Sequence, residues 1–174
     1  MIDNNKKYVL VTGATGQLGS DIVKELVKRN IHVIGVGSKD LDITDDEAVF
    51  NFFNSFKFSH IIHTAAYTKV DAAEDEIELN YDINVHGTEN IVAGCYKYNI
   101  PMTYFSTDYV FGGDGDVPYK ETDVVNPLCE YASAKLQGEK LVSKLKEYFI
   151  FRISWVYGSN GNNFVKTMLK LSET

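Results

Sequence analysis

Two spacings in this sequence bring chemically useful groups together. Tyr131-Ala132-Ser133-Ala134-Lys135 sets a phenol and an ammonium one helical turn apart, on the same face. A phenol of ordinary pKa, about 10, is a poor acid or base near neutrality, whereas an adjacent ammonium favours the phenolate and brings proton transfer within reach. The pattern predicts that Lys135 tunes Tyr131. The second spacing is Gly13-Ala14-Thr15-Gly16-Gln17-Leu18-Gly19. Gly13 permits a tight turn, Gly16 lets the backbone approach a pyrophosphate, and Gly19 allows close packing of a helix on a strand. Gln17 and Leu18 then fall at a helix N-terminus, where N–H groups and the helix dipole favour an anion. A third contributor is expected from Ser106-Thr107-Asp108. There the Thr107 hydroxyl could hydrogen-bond the same substrate oxygen that Tyr131 protonates, or Ser106 and Thr107 could simply satisfy backbone groups at a strand end.

These groups need a scaffold that delivers them to one place. Apolar, β-rich runs at 8–12, 32–36, 60–64, 102–106 and 149–154 read as strands, and helical periodicity covers 17–28, about 45–56, about 76–98, about 130–147 and 165–171. Strand and helix alternate. Nearly continuous apolar strands such as Tyr8-Val9-Leu10-Val11 suit a parallel sheet covered on both faces. The expected fold is therefore α/β, a doubly wound parallel-sheet Rossmann fold, with residues 1–174 forming a single NAD(P)-binding domain. In such sheets ligands lie beyond the carboxyl ends of the strands, where the glycine turn and Thr107 both fall. The three-residue glycine spacing is that of short-chain reductases rather than the G-x-G-x-x-G of the commonest NAD fingerprint. Cofactor choice is made at the end of the second strand, Val36-Gly37-Ser38-Lys39-Asp40. No carboxylate occupies the first positions there, and Ser38 with Lys39 could hydrogen-bond and neutralise a 2′-phosphate. The reading is NADPH, with NADH as the alternative and Lys39 as a plain solvated charge the competing one.

Bulk composition narrows the function further. With 17 basic and 24 acidic residues the net charge is −7, which repels nucleic acid and anionic membrane surfaces. No apolar run in the sequence is long enough to span a bilayer. Cys95 and Cys129 match no zinc or redox spacing and read as reduced thiols of a cytoplasmic protein. No metal site is expected. His60 and His63 lie three apart on a strand, which turns them to opposite faces, and the acidic run 71–76 reads as capping and solvating the start of a long helix rather than chelating a cation.

Further blocks extend these motifs: Leu41-Asp42-Ile43-Thr44-Asp45, His63-Thr64-Ala65-Ala66-Tyr67-Thr68-Lys69-Val70-Asp71-Ala72-Ala73-Glu74, Ser106-Thr107-Asp108-Tyr109-Val110-Phe111, Tyr131 to Glu139, and Phe151-Arg152-Ile153-Ser154-Trp155-Val156-Tyr157 with Gly161-Asn162-Asn163-Phe164. Together they resemble the extended short-chain dehydrogenase/reductases that act on nucleotide sugars, over essentially the whole chain. The resemblance implies reduction of the C4 ketone of a dTDP-6-deoxy-4-ketohexose to dTDP-L-rhamnose, with hydride from NADPH or NADH. It makes Tyr131 the proton donor and Lys135 the group that lowers its pKa and holds the nicotinamide ribose, while Thr107 polarises the carbonyl. It sets Asp42 and Ile43 near the adenine, Ala65, Ala66 and Tyr67 along the dinucleotide, and Asp108 and Trp155 towards the sugar. The implied partner is a nucleotide sugar, and a homodimer is compatible with the scaffold. Two alternatives share it: a bifunctional epimerase/reductase that makes UDP-rhamnose, and a non-catalytic regulatory subunit like that of methionine adenosyltransferase. Members of the family continue past the equivalent of Thr174 into a substrate lobe, so the sequence is expected to be the front part of something longer.

Overall fold

The computed structural model describes residues 6–113 and 116–173. Its centre is a five-stranded parallel sheet of β1 (Tyr8–Thr12), β2 (Val33–Val36), β3 (Phe58–His63), β4 (Met102–Thr107) and β5 (Tyr148–Ile153), in the order β2-β1-β3-β4-β5. Helices α1 (Gln17–Lys28), α2 (Asp46–Ser55), α4 (Gly87–Tyr98) and α5 (Glu130–Val142) make the crossovers, and α6 (Phe164–Ser172) follows β5. The fold is the expected doubly wound Rossmann architecture. The chain runs from β1 outward to β2 and then back across to β3, so the order reverses between β1 and β3, which opens a crevice at their carboxyl ends.

The strands form because their apolar residues can be covered. Leu10, Ile61 and Met102 are fully buried in one core that also takes Val49 and Phe53 of α2, Ile91 and Cys95 of α4, and Val142 of α5. Burial of apolar surface on this scale is the main stabilising term. Local signals set the helix ends: the Asp45 carboxylate accepts the Ala48 N–H at 2.8 Å to start α2, and Asn99, at φ 51°, closes α4 in the left-handed conformation.

Two helices depart from expectation. The predicted helix 76–98 is divided into α3 (Ile77–Tyr81), a widened π turn (Asp82–His86) and α4. Inside it the Asn84 carboxamide grips the backbone of Tyr67, accepting from its N–H at 3.1 Å and donating to its carbonyl at 3.0 Å. Helix α5 ends five residues before the predicted 147, because tighter turns at Lys144 and Leu145 swing Leu145 into the core.

Candidate active site

The glycine turn follows β1 directly. Gly13 adopts φ 67°, and a Cβ on it would come within 2.6 Å of the Ala65 backbone nitrogen, so both conformation and space demand glycine. A Cβ on Gly19 would strike Gly13 O and lie 2.6 Å from Thr64 Oγ1. The turn is thereby pressed against the loop after β3, and Thr64 Oγ1 donates to Thr12 O at 2.6 Å. Gly16 N donates to Gly13 O at 2.9 Å, and α1 begins at Gln17 with its first-turn N–H groups directed out of the turn.

A cleft of about 990 Å³ runs from this turn across the carboxyl end of the sheet. Gly13, Gly16, Gln17, Leu18 and Gly19 line it, as do Ser38, Asp42, Ile43, Ala65 and Ala66. At its other end stand Thr107, Asp108, Tyr131, Lys135 and Trp155. The fold thus joins motifs more than a hundred residues apart. Two expected residues fall outside the lining. Lys39 is exposed on the loop after β2, and Tyr67 is buried with its hydroxyl donating to Glu76 Oε2 at 2.8 Å. Asp40 draws its carboxylate back onto Gly37 N at 2.9 Å, while Ser38 lines the cleft together with Thr15, Asp42 and Thr44.

Burial governs the reactive pair. It pushes the Tyr131 phenol up to about 12, with Cys129 and Asp108 adding to the rise and a hydrogen bond with Thr107 opposing it. It pulls the Lys135 amine down to about 7, against the pull of Glu139. The expected direction, an ammonium drawing the phenol down, is not the one found: desolvation is the largest influence on each group, Lys135 is not among the causes acting on Tyr131, and both are driven towards their neutral forms. Lys135 Nζ lies 4.2 Å over the Tyr104 ring, a cation–π contact that keeps the charged form accessible. Thr107 Oγ1 donates to Asp108 Oδ1 at 3.2 Å and accepts from Tyr109 N at 3.2 Å. To reach a substrate oxygen this hydroxyl must rotate away from Asp108.

Several supporting residues were not singled out in the sequence. Glu139 sits one turn beyond Lys135 and forms a two-point ion pair with Arg152, at 3.0 and 2.8 Å; its i+4 spacing from Lys135 was the available signal. Asn84 passes its hydrogen bonds to Asn80 at 2.8 Å, and Asn80 donates to Glu130 O at 3.0 Å, next to Tyr131. The acidic run is not merely solvated: Glu74 accepts the Glu130 N–H at 2.8 Å, at the start of α5. His60 and His63 face opposite sides of β3, each bonded to threonine hydroxyls. Among the described residues no helix is long and apolar enough to cross a membrane, and no three potential metal ligands gather.

Comparison with known proteins gives the chain a family. The RmlD substrate binding domain family matches residues 7–174. The chain is similar to the dTDP-4-dehydrorhamnose reductase of Aggregatibacter actinomycetemcomitans, 44% identical over 167 residues that cover 95% of this chain and 57% of that protein. Among solved structures, the reductase of the same name from Clostridium acetobutylicum superposes with a TM-score of 0.92 at 44% identity, over 95% of this chain and 59% of that one. The Bacillus anthracis reductase, solved in complex with NADP, gives 0.93 at 41% identity, over 97% of this chain and 60% of that one. The chain therefore spans a little under three fifths of the length of these relatives.

Proposed function

Because the chain belongs to the RmlD substrate binding domain family, we propose that it carries the dinucleotide-binding and catalytic residues of a cytoplasmic dTDP-4-dehydrorhamnose reductase, which reduces the C4 ketone of the sugar with NADPH. The observation that carries this reading is the meeting of the glycine turn with Thr107, Tyr131 and Lys135 in one cleft. The residues present suit the cofactor: a turn with glycine at its three tightest positions for the pyrophosphate, buried Ile43 and Leu41 for the adenine, and Ser38 beside an Asp40 carboxylate turned back onto Gly37 N for the 2′-phosphate. The NADP complex of the Bacillus anthracis relative supports the same choice.

When bound, the nicotinamide supplies hydride to the C4 carbon. The chain's own groups manage the oxygen. Thr107, rotated from Asp108, hydrogen-bonds it as negative charge develops, and Tyr131 gives up its proton to it. A phenol held neutral suits that role, since an alkoxide is a far stronger base than a phenolate. Lys135, near neutrality, can return a proton to Tyr131. Asp108 and Trp155, which line the cleft with Thr107 and Tyr131, would face the sugar.

The test is consumption of NADPH with dTDP-4-dehydrorhamnose by the protein at the full length of its relatives. Tyr131→Phe should slow turnover by about 10² or more while leaving NADPH affinity within about two-fold. No NADPH consumption by the wild-type protein would refute the assignment, and equal affinities for NADH and NADPH would remove the role of Ser38.

A further inference from the structure

Trp155 stands apart among the cleft residues in its backbone. Its φ of 51° lies in the left-handed region, which is unfavourable for a bulky side chain and persists only where the surroundings impose it. The ring is 73% exposed and meets Phe164 edge-on at 5.1 Å. What imposes the conformation is the segment that follows. The carbonyl of Val156 accepts from Gln17 Nε2 at 3.0 Å, and Gln17 Oε1 accepts from Asn163 Nδ2 at 3.2 Å. The same Nδ2 donates to Gly158 O at 3.0 Å, while Asn163 Oδ1 caps α6 by accepting the Lys166 N–H at 3.1 Å. Gly161, at φ 66°, brings its backbone so near that a Cβ would lie 3.1 Å from Gln17 Cβ. One and two turns further along α1, Asp21 accepts from Asn160 and Lys24 Nζ donates to Asn160 Oδ1 at 3.2 Å.

Gln17 therefore faces two ways. Its backbone N–H belongs to the first turn of α1, among the donors a helix leaves without an internal partner and offers to an anion. Its side chain leaves the glycine turn altogether and fastens the loop that carries Trp155. We propose that Gln17 is a positioning residue that couples the two ends of the cleft: a dinucleotide pyrophosphate on the glycine turn fixes the Gln17 backbone, and through its carboxamide fixes Val156 and the Trp155 ring. This rests on the dinucleotide reading above. Coupling between two sites is reciprocal, so ordering Trp155 tightens the dinucleotide by the same factor.

Trp155 is the sole tryptophan of these 174 residues, so within this chain the fluorescence reports on this loop. The probe is NADP⁺, with binding measured by calorimetry and the exposure of Trp155 by acrylamide quenching. In the wild type, saturating NADP⁺ should lower the quenching constant about two-fold or more. Gln17→Met keeps the length of the side chain and offers no hydrogen bond; measured at its own saturating NADP⁺ concentration, it should lose the change in quenching. Asn163→Asp keeps the α6 cap but removes the donor to Gln17, and should lose it too. Thermal unfolding establishes that each variant is folded. Retention of the full quenching response by either folded variant, or NADP⁺ binding to the wild type with no response, would overturn the coupling. Absence of NADP⁺ binding to the wild type would instead overturn the dinucleotide reading, and the coupling with it.

Discussion

His63 shows how a buried titratable group can be settled by its neighbours alone. Thr88 Oγ1 donates to Asn84 O at 2.8 Å, so it accepts from His63 Nε2 at 3.2 Å, and His63 Nδ1 is left to accept from Thr12 Oγ1 at 2.7 Å. The ring is a neutral tautomer in a directed chain that ends at the Ala65 N–H, which Thr12 Oγ1 accepts at 3.3 Å. Burial, with a smaller contribution from Lys135, pulls the imidazole from 6.5 down to about 3. Between those values the unfolded chain binds the extra proton and the folded chain does not. The stability that His63 contributes is complete above 6.5 and is lost as pH falls, at up to about 1.4 kcal/mol per pH unit. Denaturant midpoints measured from pH 7 to pH 5 should fall accordingly, and His63→Gln should flatten the slope. An equally steep slope in that variant would contradict the account. Lys135 acts in another window: its pKa is lowered to about 7 from 10.5, so its contribution to stability grows as pH rises from 7 towards 10.5.

At the scale of elements, α5 matters most, because it carries both Tyr131 and Lys135. Its approach to β4 depends on Gly138, where a Cβ would strike Tyr104 Oη and lie 3.3 Å from Asn84 O. Tyr104 is fully buried beneath Lys135 and cannot yield without moving the amine. Gly138→Ala should cost about 1–3 kcal/mol in a denaturant titration and should raise the KM for NADPH as Lys135 is displaced. A variant as stable as wild type would mean that α5 can shift freely. The π turn belongs to this scale as well. The periodicity of 76–98 revealed a helix, but the widening at Asp82–His86 coincides with hydrogen bonds between Asn84 and Tyr67, seventeen residues apart, and no local pattern encodes those.

For the whole molecule, a net charge of −7 opposes anion binding, so a dinucleotide must be held by the local field of the α1 N-terminus and the bare backbone around it. That arrangement exists only in the folded state. A ligand bound by the folded chain alone stabilises it by about 2.7 kcal/mol at a hundred times its Kd. NADP⁺ should therefore raise the unfolding midpoint of the protein, and at equal concentration NAD⁺ should raise it less. A midpoint indifferent to either would count against the cleft as a dinucleotide site.

Local chemistry made much of this protein readable from its residues alone. Five strands, the extent of α1 and the choice of Thr107, Tyr131 and Lys135 as candidates, which the fold does bring to one cleft, follow from periodicity, from glycines where side chains cannot fit, and from groups at fixed helical spacing, all of which act within a few residues. The order of the sheet, and with it the crevice between β1 and β3, was decided only when the strands packed. So were the fates of individual polar groups. Lys39 and Tyr67 read as cofactor contacts by position, but Lys39 faces solvent and Tyr67 spends its hydroxyl on Glu76. Gln17, chosen for its backbone, has its side chain on a loop some 140 positions away. The ionisation of the reactive pair was decided in the same way: proximity in sequence predicted a lowered phenol, whereas desolvation, which depends on everything packed around it, raised the phenol and lowered the amine.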